Sequence, residues 1–173
     1  MILDGYWKRE LLRNKLSLKL WLKLSNVFHF YAQHQVNKAI LYSAVIIRKM
    51  FEDEKGAETE IKKTSMSMPP FKILKYKVNV TVYPFSGDKD FVVERVIPEN
   101  YDYKKAVTEE IELNKLCNQI IHSFVWSVAY SEGLNKIHSV LFASDKAKAE
   151  VMYLLKPDEF IKAIDFCIEN GNI

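Results

Sequence analysis

Glycine and proline are scarce, five of each in 173 residues, which argues against a disordered or repeat-rich chain. Cysteine occurs only as Cys117 and Cys167; two at this length make no disulfide framework, so a reducing compartment is expected. Arginine is rare as well: of 25 basic residues only Arg9, Arg13, Arg48 and Arg95 carry the guanidinium suited to bidentate phosphate contacts. The net charge of +3, from 25 basic and 22 acidic residues, is too slight to make nucleic acid or an anionic membrane an obligatory partner. No stretch approaches the ~18 apolar residues of a membrane span. The first residues, MILDGYWKRE, carry acidic and aromatic groups where a secretory leader has a basic head and an apolar run. A cytoplasmic protein is expected, with no membrane partner.

Sequence motifs of chemistry are missing too. There is no CxxC, no HExxH and no carboxylate-rich calcium loop, so neither a metal nor another cofactor is expected. GxSxG and the nucleotide-binding glycine patterns are absent, and the SGDK at Ser86–Lys89 reads as turn chemistry because no helix follows it.

What remains is an ordinary globular composition, 49% hydrophobic and 27% charged, long enough for one domain, residues 1–173, with a real core. Residues 6–24 form a basic, leucine-rich helix. At about 100° per residue, Trp7, Leu11, Leu18 and Leu22 make one apolar arc, Lys8, Lys15, Lys19 and Lys23 the next, and Tyr6, Leu16, Leu20 and Leu24 a second apolar arc. A membrane-surface helix needs one apolar side, whereas a helix packed on two neighbours uses two. Ser25 and Asn26 break this helix, and a second long helix buries Val36, Ile40, Ala44, Ile47, Met50 and Phe51, which predicts an antiparallel helical hairpin. Residues 53–70, charged and ending in Ser65, Ser67 and Pro69–Pro70, read as a flexible loop.

Period-two alternation then appears in KVNVTVY, and FVVERVI follows after PFSGDKD, a β-hairpin with one buried face. A central helix is expected over 108–128, with Thr108 as cap and Glu109 and Glu110 against its first amides. Past Gly133, KIHSVLFAS and EVMYLL flank DKAKA as a second hairpin, and Pro157 with Asp158 and Glu159 opens a short C-terminal helix that stops before Gly171. The expected architecture is α+β: a helical hairpin and a central helix with two β-hairpins and a short final helix.

The most suggestive polar pattern lies on the central helix, where Asn114, Asn118, His122 and Trp126 recur at four-residue steps and so stack along one edge. His122 is the candidate proton-transfer group and Asn118 its assistant; Asn114 and Arg48 are candidates for substrate binding. The competing reading, weighed above it, is that these side chains satisfy one another or nearby backbone. Cys117 faces the apolar arc, where a thiol is inert.

The hairpin carrying AVIIRKMFE and the later CNQIIH together resemble the HEPN group of small helical domains. Its ribonuclease members show an Arg, a polar residue, three variable positions and a His, and commonly dimerise with these motifs facing each other. On this chain Asn118 matches the polar position and His122 the histidine, while Cys117 stands where the family has Arg. The resemblance implies a dimeric helical core and, with His122, metal-independent RNA cleavage.

On sequence grounds the preferred function is a non-enzymatic interaction protein that self-associates through helical surfaces, motivated by Leu41, Val45 and Trp126 outside the main core arcs. The alternatives are a HEPN-like ribonuclease using His122, and RNA binding through Lys8, Lys15, Lys19 and Lys23.

Overall fold

Leucines at helical spacing, with no proline or glycine to interrupt them, build α1 (Tyr6–Leu24), whose Leu11 and Leu18 are fully buried. The computed structural model describes residues 5–64, 72–87, 98–133 and 135–171. After the turn at residues 25–28 the chain reverses into α2 (His29–Thr64), and the two helices pack as the expected hairpin. Ser25 secures the reversal from a fully buried position: its hydroxyl donates to the Leu22 carbonyl at 2.8 Å and accepts the Ile137 N–H at 3.0 Å. Val36, Ile40, Ala44, Ile47, Met50 and Phe51 form the buried face of α2, as their spacing requires.

Helix α2 does not give way to a loop at residue 53. It runs on to Thr64, while residues 65–70 of the expected loop lie outside the described residues. Glu, Lys and Ala are strong helix formers, and four-residue ion pairs support the transition, Arg48 with Glu52 at 3.2 Å and Lys49 with Asp53 at 3.0 Å. Glu54 is also buried, 1% exposed, so this charged stretch has a packed side.

Among the described residues five strands make one antiparallel sheet: β1 (Lys77–Pro84), β2 (Val107–Glu112), β3 (Ser123–Tyr130), β4 (Ile137–Ser144) and β5 (Val151–Leu155), in the order β2-β1-β5-β4-β3. The β4–β5 hairpin matches expectation, with Phe142 opposite Tyr153. The second strand of the other expected hairpin, FVVERVI (91–97), lies outside the described residues. β1 itself is interior to the sheet, paired with β2 on one side and β5 on the other.

The expected helix over 108–128 is the main correction. Residues 107–112 are strand β2, with Ile111 opposite Val78; only Leu113–Ile121 are helical, as α3; and 123–130 are strand β3. The helical projection missed that Phe124, Val125, Trp126 and Val128 are aromatic or β-branched, side chains that suit a pleated, half-buried surface, and that they alternate between the faces of the sheet. Leu113, Leu116, Cys117 and Ile120 remain buried on the short helix. Helix α4 (Pro157–Asn170) closes the described chain, with proline and two acids in its first turn as expected.

The helices gather on one face of the sheet. There Val78, Val80, Ile111, Val140, Phe142, Tyr153 and Leu155 meet Leu11, Ile40, Ile47, Leu116 and Phe160 in one hydrophobic core. On the opposite face a smaller cluster of Tyr101, Val125, Leu141, Ala143 and Met152 forms under the 3-10 turns Pro98–Asn100 and Tyr103–Lys105. Burial pushes the Tyr101 phenol up to about 12, and its hydroxyl donates to the Lys148 carbonyl at 2.7 Å. Among the described residues β2 and β3 are the two edges of the sheet, and α3 with His122 connects them, so its end arrives beside the β4–β5 turn.

Candidate functional site

The end of α3 is where the sequence candidates meet. His122 is its C-cap, outside the helical range at φ −98° and ψ 21°. Its N–H donates to the Asn118 carbonyl at 3.1 Å, and its own carbonyl accepts the Asp145 N–H at 3.0 Å. Both bonds leave the imidazole exposed while its backbone is held between helix and turn.

Arg48, from α2, brings Nη1 to 3.5 Å from His122 Nε2. The pair opens on a cleft of about 420 Å³ lined by Arg48, Asn118, Gln119, His122, Ser144, Asp145 and Lys146. Helix α2, the last turn of α3 and the β4–β5 turn each contribute a wall. The Arg48 guanidinium is held from behind by Glu52, Nε to Oε1 at 3.2 Å. Ser144 is buried and its hydroxyl accepts the Ala147 N–H at 3.2 Å, while Asp145 takes Lys148 Nζ at 2.7 Å, so the turn has a set shape. Asn118 Oδ1 and Gln119 Oε1 are buried in the cleft wall with no hydrogen-bond partner among the described residues. Buried polar atoms ordinarily have one, and two open acceptors beside two cations suit a ligand that is anionic at one point and donates hydrogen bonds at another.

Of the sequence candidates, the structure brings Arg48, Asn118 and His122 together. Asn114 is half-buried one turn earlier on α3 and does not line the cleft. Trp126 is on β3, its ring stacked on Phe142 at 5.6 Å between centroids, so the four-residue stripe ends at His122. Gln119, Ser144, Asp145 and Lys146 were missed; Ser144 ends a strand and Asp145 and Lys146 sit in a segment that reads only as a turn, and no local signal points either at a histidine.

Trp126 lines a second cleft, about 500 Å³, between α2 and β3, together with His34, Asn37, Lys38, Leu41, Tyr42 and Ser123. The Trp126 indole N–H and the Asn37 side-chain Oδ1 are likewise buried without partners among the described residues. Among the described residues no group of three His, Cys, Asp or Glu side chains could hold a metal ion. Burial raises the Cys117 thiol well above its ordinary value, which leaves it inert as the apolar arc implied.

No protein-family model, curated protein or solved structure matches this chain. Among the described residues no helix is long and apolar enough to cross a membrane.

Proposed function

We propose that the Arg48–His122 cleft binds an RNA phosphodiester and cleaves it without a metal. The observation that carries this reading is the approach of Arg48 Nη1 to within 3.5 Å of His122 Nε2 in an exposed cleft. Asn118 and His122 keep the spacing of the motif they resemble, and Arg48 supplies from α2 the guanidinium missing at Cys117. In that chemistry the ribose 2′-oxygen attacks phosphorus and the bond to the 5′-oxygen breaks, leaving a cyclic phosphate and a free hydroxyl. His122 exchanges the proton that must move. Arg48 and Lys146 face the charge that grows on the phosphorus oxygens, and the open side-chain amide oxygen of Asn118 accepts from a ribose hydroxyl.

The test is cleavage of RNA by the purified chain in chelator. His122→Ala is expected to lower the rate by about 10²-fold or more, and Arg48→Ala to weaken it as well, both with melting temperatures near that of the wild type because the side chains are at the surface. A wild type that leaves RNA intact, or a His122→Ala protein that cleaves as fast, would remove the proposal.

A second reading, a self-associating interaction protein, is favoured by the surface of α2. Leu41 and Trp126 share the second cleft, and Tyr42 and Val45 are exposed beside it, Val45 at 48%. Sedimentation of the purified chain tests it. RNA binding along the lysines of α1 has less support, because Lys15 is paired with Asp165 of α4.

A further inference from the structure

The two apolar arcs of α1 have different fates. Trp7, Leu11, Leu18 and Leu22 pack into the core, whereas Tyr6, Leu16 and Leu20 of the other arc are exposed, Leu16 at 58%, as is Leu12 beside them, and Leu24 is half-buried. Helix α1 rests on α2 and α4 through its buried side, and what faces outward has one apolar strip. At about 100° per residue, Arg9, Arg13, Lys19 and Lys23 fall within about 60° of Leu16, interleaved with the leucines, and all four are exposed. Glu10 is the sole acid of α1, and it lies off this face, where Arg13 reaches it at 3.2 Å. Beyond the end of α1, at the tip of the helical hairpin, Val27, Phe28, Phe30 and Tyr31 are exposed, Phe30 at 90% and Val27 at 63%. Trp21 closes the base of the tip, its ring 4.9 Å from that of Tyr31.

We infer that this face of α1 and the hairpin tip bind the surface of an anionic lipid bilayer. The cations exclude the obvious alternative, a second copy of the same face, because antiparallel or parallel contact would set like charges against one another. They match instead a layer of anionic headgroups, over which Lys and Arg extend while the leucines and Phe30 enter the acyl boundary. An acidic protein would satisfy the charges too, but it must also offer a groove shaped to a protruding aromatic tip, whereas a bilayer accepts a convex one. The contact lies on the membrane and does not span it.

The experiment is sedimentation of the full chain with vesicles of phosphatidylcholine alone and of phosphatidylcholine mixed with phosphatidylserine. Binding is expected to the mixed vesicles, to fall as salt is raised, and to blue-shift the emission of Trp21. Lys19→Gln with Lys23→Gln should weaken it by roughly five-fold per charge. Leu16→Asp and Phe30→Asp should abolish it while leaving the melting temperature unchanged, since both side chains are exposed. Failure of the wild type to pellet with mixed vesicles overturns the inference, whether or not the chain binds poly-glutamate. So does equal pelleting by the two aspartate variants.

Discussion

At the scale of single residues, position decides what a side chain can do. Gly171 follows α4, where a glycine reads as a helix stop, yet its φ of −67° is one that any residue adopts. Its constraint is space. A β-carbon there would lie 2.5 Å from Met50 Cε and 2.8 Å from the Cys167 carbonyl oxygen, and while a methionine end can turn aside, the backbone oxygen is fixed by the bond it accepts from the Gly171 N–H at 2.9 Å. Gly171→Ala is expected to destabilise the fold by about 1–3 kcal/mol, the ordinary cost of overpacking, read from the midpoint of urea unfolding. An unchanged midpoint would mean that the end of α4 moves aside freely. Cys167, on the same turn, is fully buried, and desolvation pushes its thiol up to about 12 with a further contribution from Glu54. Cys117 was therefore legible as inert from its apolar arc, whereas the placement of Arg48 beside His122 was not.

At the scale of elements, end chemistry was more legible than extent. The start of α4 was marked by Pro157, Asp158 and Glu159, and the structure uses Glu159 twice, accepting from Lys162 Nζ at 2.6 Å and from Asn79 Nδ2 at 3.4 Å. The hydrogen bond from Lys162, then that from Asn79, holds the carboxyl below its usual range. Because the folded value is lowered, the stability this group contributes is in place above the unfolded value of about 4.3 and is lost as pH falls through the folded value. Glu159→Gln should cost about 0.5 kcal/mol at neutral pH, the scale of a surface pair with a helix dipole. Its deficit against the wild type should shrink as pH falls below about 4. Thermal melts at neutral and acid pH check this, and a deficit independent of pH would assign the loss to something other than ionisation. The extents of α2 and α3 were misjudged for opposite reasons. Charge in 53–64 suggested a loop although the residues are good helix formers, and the apolar residues of 123–130 fitted a helical arc although their shapes suit a strand.

For the whole molecule, assembly is the open quantity, and the two exposed apolar surfaces predict different things about it. The cationic strip on α1 opposes self-contact, while on the surface of Leu41, Tyr42, Val45 and Trp126 the cation Lys38 already sits over the Tyr42 ring at 5.6 Å. If the protein self-associates it should do so there, so Val45→Asp is expected to shift a dimer to monomer at micromolar concentration in sedimentation equilibrium; a wild type that is monomeric throughout removes the dimer. The sequence by itself determined the α+β class, the helical hairpin, the core face of α2, the β4–β5 hairpin and the start of α4, because each follows from local periodicity and turn chemistry. Only the tertiary structure decided that 123–130 pair with β4, that one arc of α1 packs into the core while most of the other is exposed, and that Arg48 and Lys146 stand beside His122. Those contacts join residues from α2, α3 and a turn between strands, and no pattern within any one segment encodes how the chain's packing brings them together.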